Sequence, residues 1–225
     1  LSNQGDVNGK IVTISITSVD KSTLPEDVRI AVGNRPVLQI NVAIDGETIS
    51  WNNPNAPVMI SIPYVPTQEE LGDPESIVVW YIDSNDQIIV VPNGNYNPDA
   101  KAVTCITTHL SIFAVAYDDV VFEDVPKDSW YEKAVKYIAA RGITKGTGEG
   151  LFSPLSKLTR AQFITMIMRA CNIQPDADPK ENFSDAGDTW YTGYLAAAKR
   201  LGISQGVGNN LFAPGKDITR QEMFT

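Results

Sequence analysis

The chain has 225 residues with 18 Lys and Arg against 27 Asp and Glu, which gives a formal net charge of −9. This length allows one or two domains, and the excess of acid argues against a protein that binds nucleic acid or an anionic membrane surface. No run of about 18 apolar residues is present, so we expect no membrane insertion. With one histidine, His109, and two cysteines, Cys105 and Cys171, we expect no metal site, no disulfide and no cofactor.

The excess of acid is confined to one half of the chain. Residues 1–118 contain 5 Lys and Arg against 14 Asp and Glu, whereas residues 119–225 contain 13 of each. The spacing of the hydrophobic residues changes at the same place. The sequence therefore predicts a first domain over residues 1–118 and a different kind of structure from residue 119 onward.

Residues 1–118 are predicted to form an all-β sandwich. Apolar and polar residues alternate over 12–17 and 38–44, and Asp45-Gly46 supplies a two-residue hairpin turn after the second of these segments. A short helix is predicted at Thr67, where the spacing of a capping box is present. Further strands are predicted at 58–62, 77–82, 87–91, 102–107 and 112–117.

The second half of the chain repeats itself at an interval of 60 to 61 residues. Each copy is predicted to be all-α, as a helix, a glycine-containing loop and a second helix, with repeat 1 at residues 119–177 and repeat 2 at residues 178–225. The matching pairs are Phe122-x-Asp124 with Phe183-x-Asp185, Trp130-Tyr131 with Trp190-Tyr191, Gly142-Ile143 with Gly202-Ile203, Gly146-x-Gly148 with Gly206-x-Gly208, Phe152-x-Pro154 with Phe212-x-Pro214, and Thr159-Arg160 with Thr219-Arg220.

These motifs resemble the S-layer homology family. The resemblance implies a secreted, non-enzymatic surface protein at the cell wall or S-layer of a bacterium, anchored by a cell-wall glycan, the secondary cell-wall polymer, which often ends in a pyruvylated amino sugar. It also implies three repeats with ligand grooves between neighbours, and a β-sandwich that serves as a spacer. Here the pattern stops at Thr225, so a third repeat is expected near residue ~244, and the incomplete repeats are candidates for self-association.

Two arginines are the main candidates for ligand binding. Arg160 and Arg220 each stand in the first turn of a predicted helix, where the helix dipole disfavours a cation, so we expect an anion supplied from elsewhere. A guanidinium beside helix N–H groups suits a carboxylate such as a pyruvyl group. The alternative is an internal salt bridge to Asp124 or Asp185.

Trp130 and Trp190 are candidates for stacking on a sugar, although tryptophans in a first helical turn are at least as often part of a core. Gly146 and Gly206 are best interpreted as residues of a tight turn between helices. The resemblance implies in addition that these two glycines let the loop approach the glycan.

A second resemblance concerns the segment His109-Leu110-Ser111. It is similar to the end of the β-sandwich domain that often precedes S-layer homology repeats, and also to the cleavage site of autoproteolysis domains. The latter implies His109 as base and Ser111 as nucleophile, with cleavage of the Leu110–Ser111 bond. The structural alternative is that His109 holds a tight hairpin and Ser111 begins the last strand.

Overall fold

The computed structural model describes residues 8–224. The chain forms two compact units, Leu1–Val120 and Val121–Thr225, referred to below as the N-terminal and the C-terminal unit.

The N-terminal unit contains two antiparallel sheets. The larger sheet has the strand order β1-β2-β9-β5-β6 with β3 paired to β2, and the smaller has the order β4-β8-β7. The strands are β1 Val12–Ser18, β2 Val37–Ile44, β3 Glu47–Ile49, β4 Val58–Pro63, β5 Ile77–Ile82, β6 Ile88–Val91, β7 Asn95–Asn97, β8 Ala102–Thr107 and β9 Ile112–Tyr117; two α-helices, α1 Glu26–Val32 and α2 Gln68–Gly72, and two short 3-10 turns, Lys21–Thr23 and Pro74–Ser76, lie between them.

The main core lies between the two sheets. Successive side chains of a strand point to opposite faces, so alternate residues of each strand enter this core. Val79 of β5 and Phe113 of β9 meet Ile62 of β4 and Val103 of β8 there, and all four are buried.

The β-sandwich predicted for this unit fits the structure, and in addition the helix α1, which the sequence did not predict, covers the outer face of the larger sheet. Val28 and Val32 of α1 are fully buried against Val37, Ile82 and Ala114. The central strands are therefore covered on both faces. This explains why β5 and β9 read as continuous apolar runs, which is the usual pattern of strands with two buried faces.

The C-terminal unit contains four helices, α3 Glu132–Ala140, α4 Arg160–Ala170, α5 Thr192–Arg200 and α6 Arg220–Met223. The prediction of all-α repeats is wrong, because these helices are short and long non-helical loops join them. Isolated antiparallel bridges close each loop, at Gly148–Leu151 and Gly208–Leu211, and a third bridge joins Thr159 to Asp217 across the two repeats. The molecule as a whole is therefore of mixed fold class.

The second helix of repeat 1 packs into the core of repeat 2. Ile164 and Met168 of α4, in repeat 1, pack against Leu195 of α5 and against Phe183 and Phe212 of repeat 2. A repeat of this size cannot enclose its own apolar face, so it depends on its neighbour for burial.

One buried carboxylate fixes the loop that precedes α2. Glu70 accepts hydrogen bonds from Arg35 Nε, the Tyr64 hydroxyl and the backbone N–H of Thr67, each at 2.7 Å. Burial raises the pKa of Glu70, but the hydrogen bonds from Tyr64, Thr67 and Arg35 outweigh it and leave the pKa below its ordinary value. Burial and the hydrogen bond to Glu70 raise the pKa of Tyr64 to about 12.

We predict that Glu70→Ala lowers the free energy of unfolding of the N-terminal unit by about 3 kcal/mol, because it leaves Arg35 and Tyr64 without their shared partner. Hydrogen exchange of the β5 and β9 amides as a function of urea measures this loss. Glu69→Ala is the matched control, because Glu69 is exposed in the same helix, and it is expected to change stability by less than about 0.5 kcal/mol. Equal losses in the two variants would contradict the prediction.

Candidate ligand groove between the repeats

Each repeat loop is closed by one aspartate. Asp124 accepts the backbone N–H groups of Phe152 at 2.8 Å and Ser153 at 2.7 Å, one on each carboxylate oxygen. The hydrogen bond from Phe152 is the largest cause that lowers the pKa of Asp124. The salt bridge from Arg160 to Asp124, which was one alternative from the sequence, is not observed among the described residues, because Arg160 pairs with Glu222.

The same closure recurs in repeat 2. Asp185 accepts the backbone N–H groups of Phe212 and Ala213, both at 2.8 Å. In each repeat the second of the two donor residues has a left-handed backbone, with φ of +60° at Ser153 and +57° at Ala213. The two N–H groups can reach one carboxylate only if the chain turns sharply there, and this explains why Phe-x-Asp and Phe-x-Pro recur together.

The glycines of the loops are required by the loop itself. Gly146 has φ of +74°, and a Cβ at this position would overlap the carbonyl oxygen of Leu151 and lie 2.7 Å from the Phe122 ring. Gly206 has the same conformation and the same neighbours in repeat 2, Leu211 and Phe183. No residue with a side chain fits this position without displacing the loop.

Arg160 joins the two repeats. Its side chain is buried, its Nε donates to the carbonyl oxygen of Phe212 at 2.9 Å, and its guanidinium lies 4.9 Å from the centre of the Phe212 ring. The anion beside it is Glu222 of repeat 2, at 3.3 Å. The backbone N–H of Thr219 is the largest cause that lowers the pKa of Glu222 to about 2, so this carboxylate stays ionised.

Arg220, the equivalent residue of repeat 2, is exposed. Two residues that the sequence treats as equivalent therefore differ in the structure: Arg160 is enclosed by the following repeat, whereas Arg220 faces solvent within the described part of the chain.

The two tryptophans of the repeats also differ in their surroundings. Both stack edge-on against the next tyrosine, with ring centres 5.4 Å apart for Trp130–Tyr131 and 5.1 Å apart for Trp190–Tyr191. Trp130 is 93% exposed, whereas Trp190 is 58% exposed and faces the loop of repeat 1. Neither tryptophan is a core residue.

A groove of about 430 Å³ lies between Trp190 and repeat 1. Three of its lining residues are cations, Lys145, Lys157 and Arg169, and none of the residues described along it is a carboxylate. The other lining residues are Ile143, Thr144, Gly146, Thr147, Phe152, Ser153, Pro154, Ser156, Leu158, Gln162, Thr165, Met166 and Trp190. Positive charge is thus concentrated in one place of a chain whose net charge is −9.

The polar side chains along the groove differ in the partners they have within the protein. Thr165 is 1% exposed, and its hydroxyl has no hydrogen-bond partner among the described residues. Arg169 is held by the Tyr194 hydroxyl at 3.3 Å and the Ile143 carbonyl at 3.4 Å, and Lys157 pairs with Asp217 at 2.9 Å. A buried hydroxyl without a partner is unfavourable, and a ligand that hydrogen-bonds to it relieves that cost.

The groove brings together two of the six binding residues predicted from the sequence, Gly146 and Trp190. The other four, Trp130, Arg160, Gly206 and Arg220, are not among the residues that line it. Sequence reasoning missed Lys145, Lys157, Thr165 and Arg169. Two of them could be found by comparing the repeats, because Lys145 and Lys157 are cations of repeat 1 where repeat 2 has Gln205 and Asp217. These positions differ in charge although the motifs around them are repeated.

Comparison with known proteins bears on the same repeats. Residues 121–164 and 182–224 each match the S-layer homology domain. Both repeats are S-layer homology units. The chain is 38% identical to the S-layer protein sap of Bacillus anthracis over 48% of its own length and 13% of that protein. It is 37% identical to an S-layer protein of Bacillus thuringiensis subsp. finitimus over 45% of its length and 12% of that protein, and 33% identical to the amylopullulanase of Thermoanaerobacterium thermosulfurigenes over 68% and 8%.

The S-layer homology units identify the chain as part of a cell-surface protein associated with the cell wall. The chain spans between 8% and 13% of the length of these three relatives. Over residues 8–224, no helix is long and apolar enough to span a lipid bilayer, and no three His, Cys, Asp or Glu side chains are grouped as metal ligands.

The residues of the predicted cleavage segment have separate partners. The Ser111 hydroxyl donates to the Ile82 carbonyl at 2.9 Å, and Nδ1 of His109 lies 3.1 Å from the Thr107 hydroxyl. The rings of His109 and Tyr81 meet edge-to-face with their centres 4.5 Å apart, and no hydrogen bond between His109 and Ser111 occurs among the described residues. These contacts fasten the connection between β8 and β9.

We predict that Arg160→Ala lowers the stability of the C-terminal unit by about 2–3 kcal/mol, because it leaves the Phe212 carbonyl and Glu222 without their buried donor. Arg220→Ala, the equivalent change in repeat 2, is expected to cost less than about 0.5 kcal/mol because Arg220 is exposed. Hydrogen exchange of the α4 and α5 amides measures both losses. Similar values for the two variants would disprove the role given to Arg160.

We predict that His109 makes the N-terminal unit less stable in mild acid. Burial lowers the pKa of His109 below its ordinary value of 6.5, so the unfolded chain takes up the proton first as the pH falls. The contribution of this residue to stability is therefore intact above pH 6.5 and is lost below it. Urea unfolding at about pH 7.5 and 5.5 should show a smaller loss for His109→Gln than for the unaltered chain, and an equal loss would refute the prediction.

Proposed function

We propose that the two S-layer homology units anchor this protein to the bacterial cell wall by binding an acidic secondary cell-wall polymer in the groove between them. The observation that carries this proposal is the lining of the groove, with three cations, no carboxylate among its described residues, and an accessible tryptophan. An acidic sugar presents the matching features, a negative group and an apolar ring face.

Each part of the groove has a role in this proposal. Lys145, Lys157 and Arg169 attract and pair with the acidic group, and a guanidinium can bind a carboxylate such as a pyruvyl group with two parallel hydrogen bonds. Trp190 stacks on the sugar ring, and the Thr165 hydroxyl supplies a hydrogen bond at the base. A volume of about 430 Å³ falls within the range of small-ligand sites, about 300–1,000 Å³, so it suits one or two sugar units rather than a long chain segment.

The roles of the remaining predicted residues follow from their positions. Arg160 positions the groove by fixing repeat 1 against repeat 2, and Gly146 keeps the loop close enough to Trp190 for the groove to form. Trp130 is the equivalent of Trp190, and Arg220 is the equivalent of Arg160. Both residues are exposed, so they are available to a further repeat or to a second molecule of this protein.

The N-terminal unit is proposed to be a non-enzymatic spacer. The relatives that match the chain include both S-layer proteins and enzymes such as an amylopullulanase, so the shared segment occurs in proteins with different names. That distribution favours a separable attachment segment. The contacts of His109 and Ser111 favour a structural role for the segment between β8 and β9.

Co-sedimentation of the 225-residue chain with purified bacterial cell walls tests the anchor. We expect saturable binding that weakens with salt, since charged contacts are screened at high ionic strength. Lys145→Gln combined with Lys157→Gln, and separately Trp190→Ala, should each weaken binding by about tenfold or more, which corresponds to about 1.4 kcal/mol.

Two control variants match these changes. Lys127→Gln removes an exposed cation of repeat 1 outside the groove, and Trp130→Ala removes the equivalent tryptophan, and both should bind as the unaltered chain does. Absence of co-sedimentation would contradict the anchor. Equal losses in Trp130→Ala and Trp190→Ala would contradict this groove as the binding site.

A further inference from the structure

The N-terminal unit has a second groove, which is apolar. Its volume is about 590 Å³ and it lies between β1, β2 and β4. We call it the strand groove. Its lining residues are Val12, Ile14, Ile16, Leu38, Ile40, Val42, Trp51, Ala56, Val58, Met59, Ile60, Ser61 and Leu110.

The strand groove exists because the two sheets differ in width. The larger sheet ends with β1, whose seven residues are all exposed, and the smaller sheet ends with β4. Ile14 and Ile16 of β1 pair with Val42 and Ile40 of β2 and share their face of the sheet. The β2 residues are at most 5% exposed, whereas Ile14 and Ile16 are 68% and 64% exposed, so the inner face loses its cover at β1.

The β4 edge offers free backbone groups to this space. Tyr64 N–H donates to the Lys101 carbonyl, and hydrogen-bonded positions alternate along an antiparallel pair. In the observed register Ile60 and Ile62 therefore bond to β8, whereas the backbone groups of Met59 and Ser61 point away from it. Neither residue has a backbone hydrogen bond to any described residue, so β4 can accept a further strand.

The two bordering strands lack the usual protection of sheet edges. Exposed edge strands commonly carry charged residues, prolines or bulges that prevent pairing with other chains. Within β1 and β4 the residues are uncharged, and the only proline, Pro63, is the last residue of β4.

Charge selects the occupant of the groove. The first 118 residues carry a net charge of −9, from 5 Lys and Arg and 14 Asp and Glu, so two copies of this unit repel each other. A neutral or cationic strand meets no such repulsion. These features disfavour a second copy of this chain and favour a different polypeptide.

We propose that the strand groove accepts one extended, uncharged β-strand from another polypeptide, which pairs with the edge of β4. Its alternate apolar side chains cover Val12, Ile14 and Ile16, and its backbone bonds to Met59 and Ser61. This mode, in which a peptide adds a strand to an open sheet, gains affinity from main-chain hydrogen bonds and specificity from alternate side chains. The proposal is independent of glycan binding by the S-layer homology units.

A labelled peptide tests this proposal. The probe is fluorescein-KKVTVTVTSK, which has an apolar residue at every second position and lysines for solubility, and its binding to the 225-residue chain is followed by fluorescence anisotropy. We expect saturable binding. A peptide with the same composition in another order, fluorescein-KKTVVVTTSK, places its apolar residues together and should bind at least about tenfold more weakly.

Two variants of the chain locate the site. Ser61→Pro removes a backbone N–H at the β4 edge without altering the hydrogen bonds to β8. The double variant Ile14→Lys with Ile16→Lys removes the apolar surface of β1 that the peptide is proposed to cover. Each should weaken peptide binding by about tenfold or more. Ile106→Lys is the matched control, an exposed strand isoleucine that does not line the groove, and it should leave binding unchanged. Circular dichroism verifies that every variant is folded.

Three results would overturn the proposal. Equal binding of the two peptides would show a general apolar site instead of a strand acceptor. Equal binding by Ser61→Pro and the unaltered chain would exclude pairing with β4. A dimer of the chain in sedimentation that Ile14→Lys with Ile16→Lys dissociates would show that a second copy covers the groove.

Discussion

The carboxylates of Asp124 and Asp185 each accept two consecutive backbone N–H groups, and the geometry of the repeats depends on these four hydrogen bonds. Each aspartate is 27 to 29 residues away from the groups it binds, so it joins the start of a repeat to the loop that precedes the second helix. The loop is thereby held in a conformation with left-handed residues that it would not adopt alone. The glycine at the narrow point of each loop follows from the same closure, because Leu151 and Leu211 pass too close to allow a side chain.

Closure of the loops allows the repeats to be joined. Arg160 reaches from the first turn of α4 to the Phe212 carbonyl, and this acceptor is in place because Asp185 has fixed the neighbouring N–H groups. A short bridge between Thr159 and Asp217 runs beside it. Together these contacts bring Trp190 over the loop of repeat 1. The cationic groove is thus a property of two repeats in contact and not of either repeat by itself.

The N-terminal unit shows the opposite situation, in which burial is complete at the centre and incomplete at one edge. The central strands β5 and β9 are covered by the smaller sheet on one face and by α1 on the other. Toward β1 the smaller sheet ends first and leaves apolar residues in contact with solvent. Exposed apolar surface is unfavourable in water. An added strand buries this surface and also forms hydrogen bonds with the free backbone groups of β4.

Much of this protein was determined by the sequence alone. Most of the strands and the capping box at Thr67 depend on local spacing and appear in the structure as predicted, and boxes with the same spacing begin α4 at Thr159 and α6 at Thr219. The helix α1 could also have been found, since Pro25, Glu26 and Asp27 are typical of a helix start and Gly33 of a helix end. Local patterns suffice here because they act within a few residues.

Only the tertiary structure decided which residues form the groove. Arg160 and Arg220 have the same neighbours in sequence, yet one is enclosed by the next repeat and the other is exposed, because burial depends on what packs against a residue from elsewhere in the chain. For the same reason four polar residues of repeat 1 line one groove with Trp190, which belongs to repeat 2. They are spread over 25 residues of the sequence: Lys145, Lys157, Thr165 and Arg169. The sequence alone determined the repeat, and contact between distant segments decided where positive charge, an open ring face and a buried hydroxyl come together.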